Sequence, residues 1–256
     1  MTRWVAFAAL TGLLTVVVLF SARASAQRID ELVEPAAAAK PLDDGAGHLE
    51  GIGAAESASP GVPRTAVLAN AAASQGLLGA VLVLGVVLAD VPASALGVGP
   101  GALSGRSALL GIAVGGALAA LNALAGGVAD AFGVDPSRAL RELLSPESRR
   151  EGAMLFGLVL PVVAGFEELL FRGILVGAFA VGSGLPAWLL AVGSSVLFAA
   201  GHGAQGRVGI AATGLLGLAL AAVFVSTGSL LVVVVAHYLL NAAEFALAEL
   251  ESGPFE

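Results

Sequence analysis

AMLFGLVLPVVAGFEELLFRGILVGAFAV, residues 153–181, decides the architecture. It is long and apolar enough to cross a bilayer, because a spanning helix needs about 20 predominantly apolar residues. Its only ionisable residues, Glu167, Glu168 and Arg172, stand together in the middle. An ionisable group at membrane depth is costly unless it faces a protein interior or water, so this segment belongs inside a bundle and carries candidate chemistry.

Comparable apolar stretches lie near 4–22, 65–91, 107–129, 185–203, 208–226 and 229–248. Together they predict an all-α, polytopic transmembrane bundle of about seven helices, or eight with a broken or re-entrant segment. The composition agrees: 57% hydrophobic against 12% charged leaves too little polar surface to coat a soluble domain. The absence of cysteine excludes disulfides, thiolate metal sites and cysteine nucleophiles. A net charge of −7 argues against a nucleic-acid partner, which needs basic residues to neutralise phosphates. One lysine beside eleven arginines, with abundant Ala, Gly and Val, points to a GC-rich genome and a prokaryotic cell membrane.

The chain divides into an N-terminal transmembrane helix (1–26), a flexible polar loop (27–63), a helix with its connecting loop (64–104) and a core (105–250). The loop holds Asp30, Glu31, Glu34, Asp43, Asp44 and Glu50 among Gly, Ala, Ser and Pro, without helical or strand period. A second polar stretch, Val134 to Gly152, sets Leu140, Leu143 and Leu144 opposite Arg138, Arg141 and Glu142, the pattern of a short surface helix. Ser145-Pro146 then restarts the chain as a helix. Ala24-Ser25-Ala26 also has the look of a signal cleavage site. Counting crossings places Arg23, Arg28, Lys40, Arg64, Arg207 and the arginines around 138–150 on one side, with Arg3 and Arg106 opposite, and this favours a retained first helix.

From Ala153 to Leu247 the only charged or histidine residues are Glu167, Glu168, Arg172, His202, Arg207, His237 and Glu244. On a helix Glu168 and Arg172 share a face, while Glu167 is turned about 100° away. Arg172 therefore holds Glu168 ionised, and Glu167, less directly neutralised, is suited to proton transfer. Phe198 and His202 share a face near the end of the fifth apolar stretch. His237 and Asn241 stand one turn apart in the last one, so that two donors can address one object. Read singly, these are a register-fixing ion pair, a helix-end histidine and interhelical polar glue. Read jointly, they form one site. Gly111 and Gly115, and Gly209, Thr213 and Gly217, recur at four-residue spacing and signify close helix packing. Asn70, Gln75 and Asn122 read as packing contacts, Glu244 as lying near the aqueous boundary, and Arg207 as a loop anchor.

The ordered motifs Glu167-Glu168 with Arg172, Phe198 with His202, and His237 with Asn241 resemble the CPBP family, which includes type II CAAX prenyl endopeptidases, lysostaphin resistance protein A-like proteins and bacteriocin-processing or immunity proteins. The resemblance spans roughly residues 105 to 248. It implies a metal-independent, glutamate-dependent intramembrane endopeptidase that uses no cofactor. Glu167 would be the general base, working with His202 on a water; His237 and Asn241 would form the oxyanion hole; Glu168, Arg172 and Phe198 would organise the site. The implied partners are a peptide or membrane-tethered protein substrate and the lipid bilayer. Two alternatives stand beside it: a non-proteolytic scaffold or immunity protein of the same family, and a zinc-dependent intramembrane peptidase. A proton-coupled transporter would use the same residue types but lacks support from any inverted repeat. The depths of Glu167 and His202 do not match on straight helices, so one helix must tilt, break or extend.

Overall fold

The structure, a computed structural model, describes residues 2–38, 63–131, 141 and 144–252. Among the described residues the main helices are α1 Thr2–Ala38, α2 Arg64–Leu88, α3 Gly105–Ala131, α4 Arg149–Ser183, α5 Ala187–Gly201, α6 Gly206–Thr227 and α7 Leu230–Ser252. Six of them are long and apolar enough to cross a membrane, and α5, at 15 residues, is shorter. The chain is thus an all-α polytopic bundle. Its polarity is arranged for lipid: Val5, Leu109, Leu124 and Trp188 face outward, whereas Glu168, Arg172 and His237 are buried.

Helix ends follow local chemistry. Pro63 precedes α2, and Asp90, in the left-handed region at φ 53°, ends the turn after it. Ser104 caps α3 by accepting the Ser107 N–H. At α4 the cap is Ser148, whose Oγ accepts the Glu151 N–H, rather than the expected Ser145-Pro146, because Glu151 also reaches back to take the Glu147 N–H. Gly228 (φ 60°) closes α6 by giving its N–H to the Phe224 carbonyl, so α7 follows almost at once and runs antiparallel. The first helix continues to Ala38, past residue 26 where the sequence places the loop, since Glu31, Leu32, Glu34 and Ala36 to Ala38 are good helix formers. Lys40, Asp43, Asp44, His48 and Glu50 lie outside the described residues, as does most of the expected surface helix.

Contacts fix the directions. Arg3 pairs with Asp90, and Trp4 packs over Gly182, so the start of α1 meets the ends of α2 and α4. Arg64 bonds the Ser145 carbonyl and Glu147, so α2 and α4 start at the same side. Arg64, Arg149, Arg150 and Arg207 consequently gather at one end of the bundle, with Arg3 and Arg106 at the other. Gly111 and Gly115 let α3 lie against α7: a Cβ on either would come within 2.8 and 2.9 Å of Val232 and Ala236. Asn70 and Asn122 are exposed on the outer face rather than packed, because an apolar surround leaves no pattern that separates the lipid face from the protein face.

Helix α4 is not uniform. Residues Leu155–Val159 and Leu169–Ala178 are π-helical, with α-helical turns between and around them. Pro161, just past the first π stretch, has no N–H to continue the ladder. Such widened turns are rare and concentrate at functional sites. Here the second begins immediately after Glu168.

Candidate active site

Glu168 is fully buried, and its Oε1 accepts two charge-assisted bonds, from Arg172 Nη1 at 2.6 Å and from His237 Nδ1 at 2.7 Å. Arg172, also buried, gives Nη2 to the Gly217 carbonyl of α6 at 3.0 Å and lies 4.6 Å over the Phe198 ring. The four-residue spacing read from the sequence therefore produces the expected ion pair, with α6 and α7 supplying its other partners. Glu167, on the neighbouring face, is 15% exposed, against none for Glu168, and is the more accessible of the two carboxylates.

Phe198 joins the three motifs. Its ring meets Phe171 edge-on at 5.0 Å, His202 at 4.6 Å and His237 at 6.0 Å. His202 follows the last turn of α5, with Nδ1 2.8 Å from the Phe198 carbonyl. A carbonyl only accepts, so that nitrogen carries a proton and Nε2 is left for other work. The same logic applies at His237: an ionised Glu168 takes the Nδ1–H, and Nε2 points toward Glu167, 3.7 Å from its Oε2. That separation is too long for a direct hydrogen bond and short enough for one water to touch both atoms. The nearest imidazole to Glu167 shown by an ion-pair contact is thus His237, whereas His202 enters the cluster through Phe198. Asn241, a turn beyond His237 on α7, is half-buried, and among the described residues its side chain makes no recorded hydrogen bond. Glu244 lies 3.7 Å from Arg141, and Arg207 is exposed at the start of α6.

Three supporting residues carried no signal of their own in the sequence. Ser194 of α5 donates to the Phe171 carbonyl at 2.6 Å, inside the second π stretch. Tyr238 donates to the Phe156 carbonyl at 3.2 Å, inside the first. Gly217 had appeared only as one of a row of small residues; a Cβ there would lie 3.1 Å from Phe198 and 3.5 Å from Arg172. A proline inside an apolar run was the one available hint of irregular backbone in α4.

A helical membrane bundle with a buried acid, arginine and imidazole cluster on α4, α5 and α7 is the class of protein this fold and site define. Residues 150–243 match a protein-family profile described as Type II CAAX prenyl endopeptidase Rce1-like, a span that takes in every one of the motif residues. The match agrees with the resemblance to CPBP membrane proteases that the motifs carry. No curated protein and no solved structure matches the chain.

Proposed function

We propose that this protein is a glutamate-dependent, metal-independent intramembrane endopeptidase acting on a peptide or membrane-tethered polypeptide. The observation that carries the reading is the approach of a partly exposed Glu167 to His237 Nε2 at 3.7 Å, beside a buried Glu168 paired through Oε1 with Arg172 and His237. Glu167 takes a proton from a water as its oxygen attacks the scissile carbonyl carbon. The carbonyl electrons move to oxygen, where donors already in position stabilise the new charge without reorganisation. With Nδ1–H committed to Glu168, His237 offers a second donor, Nε2–H, only as the imidazolium, and the Glu168 carboxylate is its counter-ion. Asn241 supplies the other donor. Collapse of the intermediate breaks the C–N bond, and the amine leaves with the proton held by Glu167, with the free Nε2 of His202 assisting transfer.

Metal independence is supported by the Arg172 guanidinium, whose positive charge already answers Glu168 and opposes a divalent cation placed beside it. The arginine-rich end is assigned to the cytoplasm by the excess of positive charge there. The deciding experiment compares membrane proteomes and peptide hydrolysis in proteoliposomes for wild type and Glu167→Gln. Loss of the general base lowers turnover by about a hundred- to ten-thousand-fold, and an unprocessed substrate accumulates, whereas chelators leave wild-type activity intact. Full processing by a stably expressed Glu167→Gln protein defeats the peptidase reading in favour of a scaffold. Stoichiometric zinc with chelator-sensitive activity defeats the metal-independent one.

A further inference from the structure

Each π stretch of α4 receives a hydroxyl from a helix that bears a histidine of the cluster: Ser194 from α5 and Tyr238 from α7. The second case has a definite cause. The π stretch Leu155–Val159 closes with Leu160 giving its N–H to the Leu155 carbonyl, five residues back. The next donor in that register, the one that would reach the Phe156 carbonyl, is residue 161, a proline with nothing to give. Phe156 is thereby left without its main-chain partner and takes the phenol of Tyr238 instead. A carbonyl within an apolar bundle that lacks its main-chain donor is driven to find another, and the part-buried phenol, 3.2 Å away, is placed to supply it. Tyr238 follows His237 directly in the chain. Two consecutive side chains of α7 thus grip α4 at separated points, the phenol at Phe156 and the imidazole at Glu168.

We infer that Tyr238 is a positioning residue: its hydroxyl, matched to the gap that Pro161 opens in α4, sets the lengthwise register of α7 and so holds His237 against Glu167 and Glu168. The consequence for turnover rests on the peptidase reading; the consequence for the His237 hydrogen bond does not. The chain has three histidines, so selective nitrogen-15 labelling of the detergent-solubilised full chain gives an assignable imidazole spectrum. In Tyr238→Phe the His237 Nδ1–H signal shifts or broadens, while hydrolysis of a quenched fluorescent peptide library falls about ten- to a hundred-fold at saturation with little change in KM, since a misplacement near 1 Å costs roughly a hundred-fold. Adding Pro161→Ala returns a backbone donor to this turn but no link to α7, so the double variant stays as shifted and as impaired as the single one. A Tyr238→Phe protein indistinguishable from wild type in the imidazole spectrum overturns the inference. So does a double variant that recovers both readings, which would trace the defect to an unpaired carbonyl in α4, and so does a Tyr238→Phe protein that fails to fold. Should wild type show no Glu167-dependent hydrolysis, the peptidase reading falls and the spectrum alone decides the role of Tyr238.

Discussion

Glu168 and Arg172 are the least replaceable residues singly and among the more replaceable together. Burying a charge is expensive, and the pair is tolerated because each neutralises the other while His237 and the Gly217 carbonyl take further valences. Removing one partner strands the other: Arg172→Ala is expected to lower stability by about 3–5 kcal/mol, read as thermal unfolding in detergent. A Glu168→Leu, Arg172→Met double variant should recover much of that loss while remaining inactive, which separates the pair's structural part from its part in the chemistry. The identity of these residues was legible in the sequence because ionisable groups are conspicuous in an apolar chain and their four-residue spacings survive as shared helix faces. Which imidazole stands beside Glu167 was not legible. That depends on how α4, α5 and α7 slide past one another, and the hydroxyls of Ser194 and Tyr238 that fix the sliding have no periodicity to betray them.

At the scale of elements, the site rests on two kinds of seam. One is small-residue packing: α3 lies close to α7 only because Gly111 and Gly115 have no side chains, and a Cβ at Gly115 would sit 2.9 Å from the Ala236 backbone. Gly115→Val is therefore expected to cost roughly 1–3 kcal/mol by overpacking and, because α7 carries His237, to depress activity beyond the loss of folded protein. Unfolding curves and activity per folded molecule check the two effects separately. The other seam is the hydroxyl-to-carbonyl contact at the widened turns of α4. The glycine stripes could be read in advance as packing, since their spacing matches the helical repeat. The widened turns could not, because a π stretch has no composition of its own; Pro161 and the mismatch in depth between Glu167 and His202 were the signs that some helix departs from regularity.

For the whole molecule, the apolar stretches located the helices well, as hydrophobic length is dictated by bilayer thickness alone. Boundaries moved where cap chemistry intervened, as at Ser148, and the first helix outran its apolar portion to Ala38. The arrangement also makes sidedness testable. With no native cysteine, single cysteines at Arg106 and Arg150 report directly on topology. An impermeant maleimide added to intact cells should label position 106 and not 150, and inside-out vesicles should give the reverse.

One short helix has a consequence for the surrounding lipid. At 15 residues, α5 extends about 22 Å, against a hydrocarbon slab of about 30 Å. By length it falls about 8 Å short of such a slab, with His202 following its last turn, and a mismatch of that kind is met by local thinning of the bilayer. The membrane is therefore expected to be thinner on the arginine-rich side of the acid–imidazole cluster, which would leave an extended polypeptide arriving there less oil to cross before its backbone amides meet polar company.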